Sequence, residues 1–258
     1  MREKFLIFDA DKSLSAIGGP KEIEALSGLP EIPVTGGLGQ VASLLGIDFG
    51  QGINKTPLYD RKTGFVSHPL FPQNKVSVTS YEASALAKQH DLRGVVIDSI
   101  SHIFGQDLRI LENKNAGKQL QQQDWGTLER MYLTFFESLK HLPGWVVVNC
   151  HTTYEKSDTG EFYWYPMLKG KAKDRIREFF DVVVYAKTST DKKNYTWQTF
   201  ADTRRMAKDR LGVLDPTMPQ DFKTIVERYR QKGYEPKILV IGESGTGKTT
   251  ALNTLGKL

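Results

Sequence analysis

Residues 237–258 read Lys-Ile-Leu-Val-Ile-Gly-Glu-Ser-Gly-Thr-Gly-Lys-Thr-Thr-Ala-Leu-Asn-Thr-Leu-Gly-Lys-Leu, and this stretch limits what the rest of the chain can be. Lys237 to Ile241 is a short apolar run of strand character. Gly242-x-x-x-x-Gly247-Lys248-Thr249 then fills every position of the phosphate-binding loop pattern, and Thr250 to Leu258 can continue as a helix. In such a loop glycines let successive backbone N–H groups face the phosphates. The amides of Gly242, Glu243, Ser244, Gly245, Thr246, Gly247, Lys248, Thr249 and Thr250 are the candidate cradle. Lys248 can place its charge between β- and γ-phosphates, and the Thr249 hydroxyl can hold Mg²⁺. The helix N-terminus adds its field. The address is odd, because a nucleotide-binding domain normally opens with this element and here the sequence stops shortly after it.

A phosphate-binding loop requires a carboxylate partner, and the chain offers several at strand ends. Phe5 to Phe8 reads as a buried strand followed by Asp9-Ala10-Asp11, where open α/β sheets bind ligands. Residues 18–65 contain many Gly and Pro, which predicts loops and short helices, with weak helical signals at Ile23–Leu26 and Val41–Leu45. A small hairpin is expected near Pro57–Val66, a brief strand at Lys75–Val78, and a helix capped by Ser80. Val95-Val96-Ile97-Asp98 is a strand ending in the type of Asp that orders Mg²⁺. Residues 101–124 read as a polar, irregular and mobile loop. Trp125 to Leu142 is the clearest amphipathic helix, with Trp125, Leu128, Tyr132, Phe135, Phe136 and Leu139 as its buried stripe.

Trp145 to Cys150 is another buried strand, and its exit carries His151, placed to sense a γ-phosphate. Tyr154 to Gly170 looks like an exposed loop or hairpin. Its aromatics, Tyr163 and Trp164 among them, lie beside Lys169 and Lys171, a composition that suits stacking on single-stranded bases or a subunit interface. A helix over Ala172–Phe180, strands at Asp181–Ala186 and Asn194–Phe200, and a helix over Asp221–Gln231 follow. Residues 203–212 form a basic segment that includes Lys208 and Arg210.

The chain has 258 residues, enough for a full sheet core, with 39% apolar and 25% charged residues. No apolar run is long enough to span a membrane. The opening Met1-Arg2-Glu3-Lys4-Phe5 lacks the apolar region of a signal peptide, and the single Cys150 excludes an internal disulfide framework, so a cytoplasmic protein is expected. A net charge of +5 is a mild pointer to polyanions. Read linearly, the strands ending near Asp11, Asp98 and His151 precede the strand that should come first. A truncated second domain at 237 would leave one strand and one helix with no core. A circularly permuted single domain over 1–258, hinged at 232–236, satisfies that strand and brings Lys248 to Asp98.

With that order restored, the chain resembles the RecA-like ATPases, most closely the phage-encoded, single-domain members related to single-strand-annealing recombination proteins. The resemblance implies an α/β three-layer sandwich with a mostly parallel central sheet, and hydrolysis of ATP to ADP with Mg²⁺. By that resemblance Asp11 stands where RecA-like enzymes carry a catalytic Glu, one methylene longer, with Asp9 as the alternative carboxylate. His151 matches the γ-phosphate sensor, and 154–170 and part of 101–124 match the DNA-contacting loops. Lys208 and Arg210 match paired cations supplied across a subunit interface. The implied partners are single-stranded DNA and further copies of the chain in a ring or filament, in the host cytoplasm for a phage protein. Other readings compatible with the sequence are a nucleotide-dependent switch or packaging accessory without DNA contact, a catalytically weak nucleotide-binding protein, and a small-molecule kinase, which lacks a lid-and-acceptor pattern here.

Overall fold

A computed structural model describes residues 4–10, 32–45, 47, 59–60, 65–68, 71–77, 92–115, 119–140, 144–191 and 193–257. Expectations for Asp11, for Ile23–Leu26 and for the Ser80 helix fall outside these residues. In chain order the elements are β1 (Lys4–Asp9), β2 (Ile32–Pro33), α1 (Gly37–Leu44), β3 (Tyr59–Asp60), β4 (Phe65–His68), β5 (Phe71–Ser77) and β6 (Leu92–Asp98). Next come α2 (Ile100–Lys114), α3 (Gln122–Lys140), β7 (Trp145–Lys156), β8 (Phe162–Pro166), α4 (Lys171–Arg175) with a 3₁₀ turn at Ile176–Phe179, and β9 (Val182–Thr188). The last part holds β10 (Tyr195–Gln198), β11 (Lys208–Asp209), β12 (Thr217–Pro219), α5 (Phe222–Arg230), β13 (Lys237–Gly242), α6 (Lys248–Ala251) and a 3₁₀ segment at Leu252–Lys257.

The central sheet runs β12-β10-β9-β13-β7-β6-β1-β2. From β9 to β2 all neighbours are parallel, while β10 and β12 continue antiparallel at one edge. β13, the last strand in sequence, lies between β7 and β9: Leu239 pairs with Val148 on one side and Val183 on the other. Its composition explains the location. Lys237-Ile-Leu-Val-Ile-Gly is buried along its whole length, as a strand covered on both faces must be. Ile238 and Val240 enter one core with Trp145, Val147, Trp197, α5 and the C-terminal 3₁₀ segment. Leu239 and Ile241 enter the other with Phe8, Val148 and the residues of α1, α2 and α3. Helices therefore cover both faces, giving three layers. β3, β4 and β5 form a separate antiparallel sheet, consistent with the hairpin expected near Pro57–Val66.

Residues 101–124 correct the sequence reading, since most of them are helical. Ile100, Ile103, Phe104, Asp107 and Leu111 are buried at helical spacing on α2. Gly105, Asn113 and a polar outer face had masked that stripe, because one of its inward positions is a carboxylate. Asp107 accepts from the Leu38 N–H and from the Tyr132 hydroxyl at 2.7 Å, so it holds the start of α1 and the middle of α3 together. Burial pushes its carboxyl up to about 7, against the lowering effect of those two hydrogen bonds. Gly37 has φ +67° and an added Cβ would fall 1.9 Å from the Asp107 carboxylate, so only glycine fits.

α3 buries Leu128, Tyr132, Phe135, Phe136 and Leu139 as expected, with Thr127 and Met131 beside them. Trp125 departs from the expected stripe and stays 36% exposed. It sits in the first turn, where it lines a surface pocket with Phe104 and Leu128 instead of meeting the sheet. Two short strands, β11 and β12, were hidden by the Arg/Lys-rich and Pro-rich composition around them; they add to β9 and β10. The expected helix after Thr249 is α6 for only four residues before it tightens to 3₁₀.

Candidate active site

β13 ends at the carboxyl edge of the parallel sheet, and the loop Gly242–Thr249 turns over that edge into α6. Gly242 lies in register with His151 of β7 and with Ala186 of β9. An added Cβ on Gly242 would meet Ala186 Cβ at 2.9 Å, which makes the first glycine a packing requirement. Gly245 and Gly247 take positive φ, as the amide-lined curl needs. The loop is pinned from the β10 side, where the Gln220 side-chain amide donates to Thr246 O at 2.8 Å and to Thr196 O at 3.2 Å.

Lys248 is buried, and its ammonium donates to Gly242 O and Glu243 O at 2.8 and 2.7 Å. These carbonyls hold the charge against the loop it would serve. Thr249 Oγ1 donates to Asp98 Oδ2 at 2.7 Å, across 151 residues of sequence. A hydroxyl and a buried carboxylate facing each other beside a lysine form a hard-oxygen donor set suited to Mg²⁺ at a phosphate site. Asp9 is in register with Asp98 on the adjacent strand, and both are 1% exposed. Paired buried carboxylates at this edge are tolerable only with cationic or hydrogen-bonding partners, and Lys248, Thr249 and a divalent ion fit that need.

His151 follows the buried part of β7. Its backbone N–H donates to Ser101 Oγ at 2.9 Å, and its ring meets His102 edge-on at 5.2 Å between centroids. Ser101 also bonds the Cys150 thiol, which burial pushes up to about 11. Ser101 and His102 are site neighbours that sequence reading missed. Their signal was present: both lie within one helical turn after Asp98.

The structure gathers Asp9, Asp98, His151, Lys248 and Thr249 at one edge of the sheet. It does not gather Lys208 and Arg210 there. Lys208 donates to Phe180 O at 2.7 Å and Arg177 O at 3.3 Å, and Arg210 is paired with Asp181 and with the Tyr234 hydroxyl. Both lie where β9 and β13 begin, so the length of β13 separates them from their own phosphate loop by roughly 16 Å. Of the hairpin candidates, Lys169 and Lys171 are exposed, while Tyr163 and Trp164 are half-buried. Tyr163 donates its hydroxyl to Glu161 and Trp164 donates its indole N–H to Glu243. Among the described residues no helix is long and apolar enough to cross a membrane.

No curated protein and no solved structure matches the chain. A family model described as an AAA domain matches residues 1–211, well over half of the sequence. That match ends before the phosphate loop, and the fold supplies the loop from β13. Three-layer architecture, mostly parallel sheet and a loop–Asp98 pair agree with the match: the chain belongs to the AAA-domain family of P-loop ATPases.

Proposed function

We propose that the chain binds and hydrolyses ATP with Mg²⁺, and couples this to single-stranded DNA in phage-type recombination or annealing. The observation that carries the nucleotide half is the 2.7 Å contact between Thr249 and Asp98, which joins the phosphate loop to a strand end 151 residues earlier in the chain. Lys248 and the loop amides bind the phosphates. Thr249 and Asp98 would hold Mg²⁺, which when bound neutralises charge on the phosphate oxygens. Asp9 or Asp11 orients the attacking water, and Asp9 has the support of its register beside Asp98. His151, beside Gly242, faces the γ-phosphate end and transmits its presence into β7 and the hairpin. Positioning and fixed charge account for most of the acceleration in such a reaction.

Circular permutation belongs to the same reading. Its support is a family match that lies wholly before the loop, together with a last strand that fills the centre of the sheet. DNA contact is supported by the exposed Tyr154 and Phe162 of the β7–β8 hairpin and by Lys169 and Lys171 nearby. Lys208 and Arg210 enter only through a neighbouring copy, because they lie too far from their own loop. ATPase activity measured against protein concentration, with and without an oligodeoxythymidylate strand, tests the whole. Specific activity is expected to rise with concentration and with DNA, and the DNA effect to fall as salt rises. Flat specific activity with no DNA response would reject the DNA-coupled oligomer.

A further inference from the structure

The outer side of the phosphate loop carries a contact that hydrolysis does not use. Glu243, the second loop residue, is exposed, yet its carboxylate accepts from the Trp164 indole N–H at 3.1 Å. Trp164 is the central residue of β8, and β8 pairs with the outer half of β7, Thr152 to Lys156. The hairpin thus overhangs the edge where the loop lies.

Trp164 is fixed from its other sides. Its backbone N–H donates to Arg204 O at 2.9 Å, and the Arg205 guanidinium lies 4.6 Å from its ring centroid. The same guanidinium is 5.4 Å from the Tyr185 ring on β9 and is ion-paired with Asp202 at 3.1 Å. A cation on the indole face and a carboxylate on its N–H reinforce each other. Arg205, in the basic segment, therefore has a defined place beside the loop that Lys208 and Arg210 lack.

The chemistry of the loop gives this contact a consequence. Glu243 carries a negative charge on the loop that is to receive a polyanion, and like charges at close range weaken binding. Bonded to Trp164, the carboxylate is turned outward onto the hairpin. We infer that Trp164 is a positioning residue that holds Glu243 off the phosphate path, so that hairpin position and nucleotide affinity are coupled. This rests on the nucleotide reading above. Because coupling is reciprocal, a ligand that shifts the hairpin changes nucleotide affinity by the same factor that nucleotide changes the ligand's.

Calorimetric titration with Mg·ADP of the wild type, W164F, E243A, W164F/E243A and K248A tests it, with thermal unfolding to confirm that each folds. W164F keeps a ring for Arg205 and loses the N–H, and is expected to bind roughly three- to tenfold more weakly. E243A removes the charge and is expected to bind more tightly than wild type. The double variant is expected to follow E243A, because with no carboxylate there is nothing to hold away. W164F binding as well as wild type, or staying weak in the double variant, overturns the coupling while leaving the site intact. A wild type that takes up no nucleotide overturns both readings.

Discussion

Lys248→Ala is expected to reduce ATP turnover by roughly a hundredfold or more, the scale on which losing one fixed charge-stabilising group acts in an active site. The lysine is 5% exposed and its ammonium is held by two loop carbonyls, so it is already placed at the loop that the proposed site gives to the phosphates. Alanine keeps α6 helical and removes the charge without adding bulk. The loss should appear in both nucleotide affinity and rate, since the same group meets the bound phosphates and the charge that builds during transfer. Unfolding temperature is the control. Full turnover by a folded K248A protein would remove the loop from the site.

Val240→Asp addresses the fold with comparable force. Val240 is fully buried at the middle of β13, paired with Asn149 on β7 and Val184 on β9, and it faces the core built on α5. A carboxylate there would lie among the apolar residues of that core. The cost is about 3 kcal/mol or more, a large part of the 5–15 kcal/mol that holds a typical domain. Loss of the cooperative melting transition, or a fall of roughly 10 °C, is expected. A change no larger than that of a surface substitution would mean that the last strand is not the centre of the sheet.

The main strands were legible because their composition left one choice. Val95–Ile97, Trp145–Val148 and Ile238–Ile241 are apolar on both faces, and each leads within a few residues into the candidate site, at Asp98, His151 and the loop from Gly242. The stripe on α3 was legible for the same reason, except at Trp125, which stays partly exposed in the first turn. α2 was not legible, since its inward face includes Asp107, a carboxylate whose partners on α1 and α3 are 69 and 25 residues away. Lys208 and Arg210 show a different limit. Charge and spacing located a pair of cations, but their hydrogen bonds to Phe180 O and Asp181 depend on how β11 docks on β9. Trp164 shows it again: an aromatic beside lysines read as a stacking surface, and its N–H is bonded to the phosphate loop.

In the proposed site, strand ends far apart in sequence make one metal–nucleotide centre, and Asp98, 151 residues before its partner Thr249, is the residue on which it turns. The direct measurement is nucleotide binding as a function of Mg²⁺ for wild type and Asp98→Ala. Wild type is expected to bind one nucleotide per chain, more tightly with Mg²⁺ than without it. Asp98→Ala is expected to retain the Mg²⁺-independent part, carried by Lys248 and the loop amides, and to lose the gain from the metal. An unchanged Mg²⁺ dependence in a folded Asp98→Ala protein, or no nucleotide binding by the wild type, would contradict the account.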